Sequence, residues 1–259
     1  MLMRASRLLA ATLLCSVGVA GMTACGPLDS KSSAAAPSAT PSPTETGLAA
    51  LSAQDIIKKA QEASAKVTSA KLTFDIMTDG EHLVGSVAED KSGACVGQIS
   101  MGDKGKFDVL RSADTVWIKP DSVFWEKSIA KGSAKTMAGK YLKGKGESAG
   151  VKELAGFCDM GLQVLKSLGK NEDGSDDTAG ANKAGTKQVG SVNAVVLTGQ
   201  DGEDKMELAI AAEGEPYLLE LSSKGKEPGS MTFSDFGQPV SVTPPKAALV
   251  IDASKYLKG

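Results

Sequence analysis

Apolar residues from Ala53 onward recur at the spacing of an amphipathic helix. From Ala53 to Val67 they follow one another mainly at steps of three and four residues. Ser52 and Asp55 resemble a capping box at the start of this pattern. The pattern predicts a helix that begins after Ser52 and ends near Thr68.

Alternation of apolar and polar residues then predicts two sets of short strands, about six in each. Turn residues such as Asp79-Gly80 separate neighbouring strands, and connections this short indicate antiparallel pairing. The predicted strands are 72–77, 83–87, 95–101, 107–110, 116–119 and 124–128 in the first set, and 186–189, 194–198, 205–211, 217–222, 230–236 and 240–242 in the second.

Two helices are predicted between the two sets of strands. Residues 133–142 give a short candidate, and residues 151–168 give a longer one with apolar residues at helical spacing. Gly156 and Gly161 weaken the longer helix. The acidic segment that follows, 169–183, is expected to be an exposed loop.

The order of these elements predicts the fold class. A long antiparallel sheet is stable only when one of its faces is covered. We therefore expect an α+β fold, in which a strongly curved antiparallel sheet forms a half-barrel of about 10–12 strands and the helices cover its concave face.

The first 25 residues have the pattern of a bacterial export signal. Arginines precede an apolar run, 8–20, that is shorter than the roughly 20 residues needed to cross a bilayer. The sequence Met-Thr-Ala-Cys at 22–25 follows and resembles the lipobox, in which a peptidase cuts before a cysteine that carries diacylglycerol. An ordinary signal peptide with a chance cysteine is the alternative.

The lipobox divides the chain into three parts. Residues 1–24 are expected to be the signal peptide, 25–50 the lipidated cysteine and a disordered tether rich in Ser, Pro and Thr, and 51–259 a single domain. The expected partner is the cytoplasmic membrane, reached through the diacylglycerol on Cys25. The protein is then lipid-anchored to the cell membrane on its extracytoplasmic face.

Composition and charge narrow the function. A net charge of −2 gives no positive field that would attract nucleic acid. Arg111 is the one arginine outside the signal segment, which also argues against binding of phosphate groups by several arginines. His82 is the single histidine, which argues against multi-histidine metal sites and most histidine-based catalysis. We expect no catalytic residue, metal, cofactor or nucleic-acid partner, and a protein that is not an enzyme.

The four cysteines have different expected roles. Cys15 leaves with the signal peptide and Cys25 is lipidated, so Cys95 and Cys158 remain. An even pair in an exported protein indicates a disulfide, with two buried free thiols as the alternative.

Several segments of the chain resemble a known group of proteins. The sequences at 114–121 (DTVWIKPD), 124–125 (FW), 139–142 (GKYL) and 214–219 (GEPYLL) are similar to segments that recur in actinobacterial LppX/LprG-type lipoproteins. That group has the unclosed β-barrel fold of the LolA and LolB carriers. The resemblance implies a hydrophobic cavity between sheet and helices that can take acyl chains, in some relatives for lipid transport. It supplies no catalytic residues.

Aromatic residues of the first strand set and the apolar face of the longer predicted helix are the candidates for lining a ligand cavity. They are Trp117, Phe124, Trp125, Leu154, Phe157, Leu162 and Leu165. Core packing is the alternative role for each. The expected function is that of a non-catalytic lipoprotein that binds or carries an apolar ligand, acyl chains or lipid. The alternative is a structural or interaction lipoprotein of the cell envelope, with a filled core and a protein or cell-wall partner.

Overall fold

The computed structural model describes residues 46–148, 150–171 and 173–257, so Cys25, the signal peptide and nearly all of the tether lie outside the described residues. The described part forms a twelve-stranded sheet. In chain order, strands β1 to β12 are Ser69–Thr78, Glu81–Asp90, Cys95–Met101, Lys106–Ser112, Thr115–Pro120, Tyr141–Lys145, Asn182–Val189, Val192–Asp201, Asp204–Ala211, Leu218–Lys224, Gly229–Ser234 and Val250–Asp252.

The sheet is curved and unclosed, as the sequence predicts. Its spatial order is β12-β6-β5-β4-β3-β2-β1-β11-β10-β9-β8-β7, which leaves β12 and β7 at the two edges. Neighbouring strands are antiparallel except β12, which pairs in parallel with β6. The sheet therefore has two wings, one formed by β1–β6 with β12 and the other by β7–β11, which meet where β1 pairs with β11.

The helices are few and short. In chain order, α1 to α5 are Ala53–Lys66, Ser122–Phe124, Ala134–Met137, Val151–Ala155 and Met160–Ser167. The Ser52 hydroxyl accepts a hydrogen bond from the Asp55 amide at 3.1 Å, which caps α1 where the sequence predicts its start. No helix among the described residues is both long and apolar enough to cross a bilayer.

Three predicted elements differ from the structure. The strand predicted at 124–128 is wrong, because the Asp121 carboxylate accepts the Phe124 amide hydrogen at 2.8 Å and starts α2, which continues as one π-helical stretch, Trp125–Ile129. The helix predicted at 133–142 is reduced to α3, since Gly139 has a φ of +73° and the chain then enters β6. The strand predicted at 240–242 is also wrong, because those residues lie outside strands and helices.

The longer predicted helix is divided. A 3-10 segment, Gly156–Asp159, lies between α4 and α5. Gly161 in α5 faces the sheet closely, since a β-carbon there would lie 3.1 Å from Leu72 Cβ and 2.6 Å from Glu89 Oε1. The absence of a side chain at this residue lets α5 approach β1 and β2.

The core lies between the helices and one face of the sheet. Its largest fully buried side chains include Trp125, Phe74, Phe107 and Phe233. The opposite face of the β7–β10 wing carries a separate small cluster built around Ala194 and Leu219. The helices thus cover one face, as expected for this α+β class.

The two edge strands differ from the central ones. Strand β12 has only three residues. Strand β7 is mostly exposed and has an irregular register between Lys183 and Gly185. Lys187 on β7 forms ion pairs of 2.7 Å with both Glu207 and Glu220.

The disulfide predicted from the cysteine count is confirmed. Cys95 at the start of β3 is bonded to Cys158 in the 3-10 segment, with their α-carbons 5.6 Å apart. Both residues are completely buried. The bond fastens the helical segment to the sheet.

Candidate functional site

The seven cavity candidates from the sequence lie in different environments. Phe124, Trp125 and Leu165 are buried in the main core, and Leu154 and Leu162 pack against it half-buried. These positions fit core packing as well as ligand contact.

The other two candidates, Phe157 and Trp117, lie on opposite sides of the sheet. Phe157 stacks on Phe74 with ring centroids 6.1 Å apart and meets Phe107 edge-on at 5.9 Å. Trp117 lies between the core residues Val116 and Ile118 on β5, so its side chain points to the opposite face of the sheet. Which of the seven contacts a ligand stays a prediction.

An apolar pocket of about 260 Å³ lies between the helices and the β8–β10 part of the sheet. We call it the aliphatic pocket. Its apolar lining consists of Ile57 from α1, Val164 and Leu168 from α5 and its end, Ala181 before β7, and Met206, Leu208, Leu218 and Leu221 from β9 and β10. None of these residues is among the seven candidates.

Polar residues also border the aliphatic pocket. Thr198, Gln200 and Asp201 at the end of β8 contribute to its lining, together with Ser167 and Asp177. An apolar interior with a few polar groups at its border is the usual composition of a small-molecule site.

The loop after α5 is attached beside the aliphatic pocket. The Gln61 side-chain amide of α1 donates hydrogen bonds to the carbonyls of Leu168 at 2.9 Å and Gly169 at 3.2 Å. Hydrogen bonds from Lys170 and Gln61 lower the pKa of Asp176. The acidic loop expected at 169–183 is therefore tied to α1, and in the part of the chain that the structure describes no three His, Cys, Asp or Glu side chains converge as a metal site.

A row of three residues holds the helical segment against the other wing of the sheet. Glu89 on β2, Cys95 on β3 and Arg111 on β4 are direct cross-strand neighbours. We call them the helix clamp, because each contacts the segment formed by α4, the 3-10 turn and α5. Cys95 does so through the disulfide.

Arg111 makes the most contacts within the helix clamp. Its guanidinium donates two hydrogen bonds to the Asp159 carboxylate, at 2.8 and 2.7 Å, and one to the Cys158 carbonyl at 3.0 Å. Its Nε donates to the Gly93 carbonyl at 2.9 Å. With only 12% of its side chain exposed, Arg111 is held rigidly in this fork geometry.

Glu89 contacts α5 directly. Its Oε1 accepts the Leu162 amide hydrogen at 3.0 Å, and the residue is 1% exposed. Burial raises the pKa of Glu89 to about 7, against the opposing effect of hydrogen bonds from the Leu162 and Gly161 amides. This carboxyl group therefore titrates near neutral pH.

A second pocket, of about 510 Å³, lies beside the helix clamp. We call it the clamp pocket. Ser64, Ala65 and Val67 from the end of α1 line one side, and Leu162, Gln163 and Lys166 of α5 line another. Glu89, Asp90, Lys91, Gly93, Arg111 and Asp159 complete it. Sequence reasoning did not identify this pocket.

His82, the single histidine, belongs to the lining of neither pocket. His82 on β2 places its Nε2 at 2.6 Å from the Asp75 carboxylate across the first hairpin, and both side chains are largely exposed. Such a surface pair is typical of a solvated hairpin.

Comparison with known proteins finds likenesses of structure at low sequence identity. No protein-family model and no curated protein matches the chain. The Mycobacterium tuberculosis lipoprotein LppX is 16% identical over 73% of this chain and 97% of its own, with a TM-score of 0.47. LprF from Mycobacterium bovis is 14% identical over 74% of this chain and 96% of its own, with a TM-score of 0.48. An uncharacterized conserved protein from Thermus thermophilus is 15% identical over 77% and 98% of the two chains, with a TM-score of 0.35.

Proposed function

We propose that this protein is a membrane-anchored, extracytoplasmic lipoprotein that binds an apolar ligand without covalent chemistry, and that the aliphatic pocket is where an acyl chain binds. The observation that carries the proposal is the apolar lining of this pocket between α1, α5 and strands β8–β10. The pocket lies between the sheet and the helices that cover it, so an acyl chain can bind along its apolar surface.

The size of the aliphatic pocket supports a single acyl chain as the ligand. Its volume of about 260 Å³ is roughly nine times the 30 Å³ that one water occupies in the liquid. A methylene group has a similar volume, so the pocket corresponds to a chain of about nine carbons. Each buried methylene contributes about 0.8 kcal/mol. Burial of about nine methylene groups therefore contributes roughly 7 kcal/mol, against which the cost of immobilising the chain counts. We infer a single acyl chain as the ligand.

The membrane anchor is proposed on the sequence alone. The short apolar run and the small-small-cysteine sequence that ends at Cys25 support it. The tether of 25–50 gives a reach of roughly 25–30 Å from the membrane to the domain, at about 5–6 Å per root residue. The ligand pocket is thus placed close to the lipid surface that could supply its ligand.

Filling the aliphatic pocket is expected to weaken ligand binding. In Met206→Trp, the indole occupies the space beside Leu208, and we expect the affinity for a fluorescent fatty acid to fall by about tenfold or more. The measurement is a fluorescence titration of the purified protein, together with native mass spectrometry of lipid that co-purifies.

The matched control is Met101→Trp. Met101 is also half-buried and packs against the same core, but it is not part of the pocket lining. Equal losses in the two variants contradict the proposed pocket. Absence of both co-purified lipid and fatty-acid uptake in the unaltered protein contradicts the proposed function and favours the structural or interaction role.

Loss of the lipidated cysteine is expected to release the protein from the membrane. In Cys25→Ala the diacylglycerol has no thiol to attach to, so the protein should be recovered from the medium instead of the membrane fraction. The measurement is immunodetection in both fractions, with Cys15→Ala as the control that keeps the anchor. Unchanged membrane retention and unchanged precursor processing in Cys25→Ala contradict the anchor.

A further inference from the structure

We propose that the clamp pocket is a second binding site, for a small oxyanion such as a carboxylate or phosphate, and that Glu89 takes up a proton when the anion binds. The site is separate from the aliphatic pocket, because the two linings have no residue in common. It does not depend on the acyl-chain proposal.

The clamp pocket has rigid walls. The disulfide of Cys158 and three hydrogen bonds from Arg111 to Cys158 and Asp159 fix the start of α5 against the sheet. The Lys91 side chain donates to the Ala65 carbonyl at 3.1 Å, which joins the β2 end to the end of α1. A site built in this way is organised before its ligand arrives.

A buried hydroxyl at this pocket lacks a partner. Ser64 lines the pocket and is 6% exposed, and its Oγ has no hydrogen-bond partner among the described residues. A buried polar group without a partner is unfavourable and uncommon in folded proteins. This oxygen is closed off from the pocket in the conformation described, so rotation of the Ser64 side chain toward the pocket would be needed to give it an oxyanion as its acceptor.

The charges around the clamp pocket favour an anion. Lys91 and Lys166 have no carboxylate within ion-pair distance in the described part of the chain, whereas Arg111 is paired with Asp159. The Asp90 carboxylate accepts the Ser92 and Ala94 amide hydrogens, so it is engaged in its own turn. The cations therefore outnumber the carboxylates only while Glu89 is neutral.

Glu89 couples anion binding to a proton. Burial, and to a smaller extent the negative charge of Asp159, raise its pKa to about 7, against the lowering effects of the Leu162 and Gly161 amides and of Arg111. The other charged groups that line the pocket around it are Asp90, Lys91 and Lys166. When neutral, Glu89 can donate its hydroxyl proton to an anion oxygen, and when ionised it repels the anion. The anion and the proton therefore bind together.

Calorimetric titration of the full chain with acetate tests the coupling, since acetate stays almost entirely ionised between pH 6 and pH 8. We expect acetate to bind about tenfold more tightly at pH 6 than at pH 8, and to take up nearly one proton per anion at pH 8. The proton count comes from titrations in two buffers with different heats of ionisation.

Variants connect this behaviour to named residues. In Glu89→Gln the amide keeps the shape of the neutral acid but does not titrate, so the affinity should be the same at pH 6 and pH 8. Ser64→Ala and Lys166→Gln should each weaken binding by about threefold to tenfold. Lys224→Gln, an exposed lysine on β10 outside the clamp pocket, is the control and should bind as the unaltered protein does.

Further titrations distinguish the source of the anion. Inorganic phosphate in solution and vesicles of phosphatidylglycerol, with phosphatidylcholine vesicles as the reference, separate a free anion from a lipid headgroup. Binding of either anionic probe that is weakened in Lys166→Gln but not in Lys224→Gln supports the site. The proposal is overturned if no probe binds at millimolar concentration, or if the pH dependence persists in Glu89→Gln.

Discussion

Replacing Cys95 and Cys158 together by alanine is expected to lower the free energy of unfolding by about 4 kcal/mol. The bond joins residues 63 positions apart, and closing a loop of this length in the unfolded chain accounts for most of that figure in the chain-entropy model. The two buried sulfur atoms also leave small voids when they are removed. Urea unfolding of the oxidised protein and the double variant measures the difference.

Reductant serves as the control for this prediction. It should bring the unaltered protein close to the stability of the double variant and leave the double variant itself unchanged. Equal unfolding midpoints for the oxidised protein and the double variant would show that the disulfide adds nothing to stability. Because Arg111 and Glu89 still hold the helical segment, we expect the double variant to fold.

Raising the pH from about 4.5 to about 7 is expected to remove roughly 3 kcal/mol of stability through Glu89 alone. The unfolded chain releases this proton near the ordinary glutamate pKa of 4.5, while burial holds it in the folded protein up to about 7. The folded state thus binds the proton more tightly. The contribution is complete below pH 4.5, decreases as the pH rises, and is absent above about 7.

The matched experiment compares the unaltered protein with Glu89→Gln in urea at several pH values, in buffer of low anion content. The difference between the two proteins should grow in favour of the variant up to about pH 7 and then level off. Glu213→Gln, at an exposed glutamate, is the control and should follow the unaltered protein. A difference that does not vary with pH would mean that Glu89 is not buried as a neutral acid. This result would leave the acyl-chain proposal intact.

Local sequence patterns predicted the sheet well, because the residues that determine a hairpin are neighbours in the chain. Thr78 pairs with Glu81, so Asp79 and Gly80 form a two-residue turn, and both have a positive φ, of 50° and 78°. This is the turn that an Asp-Gly pair favours between antiparallel strands. The same local reasoning located the cap of α1 at Ser52.

Local patterns could not distinguish a short buried helix from a strand. The apolar run around Phe124 and Trp125 fits either structure over so few residues, and the Asp121 cap together with burial against Phe107 decides for a helix. Local patterns also could not predict how the longer helix divides. Gly156 and Gly161 indicated a weak helix, but the close approach of α5 depends on the strands against which it packs.

The candidate sites depend on contacts between residues distant in sequence. The position of α5, and hence the location of the aliphatic pocket, follows from contacts such as the one between Glu89 and Leu162, 73 residues apart. One sequence signal was available for the clamp pocket. Glu89 falls in phase with the core-facing Leu83 and Val87, and a charged residue on the buried face of a strand indicates a special environment.

The edges of the open sheet affect whether molecules of this protein aggregate at high concentration. An unpaired strand edge is a template on which a second chain can add, and this leads to aggregation. Here one edge ends in a strand of three residues, and the other carries an irregular register and lysines along an exposed strand. Charge and irregularity both oppose the addition of another strand. Many copies at high local concentration can therefore keep their sheets separate, although the sheet does not close into a barrel.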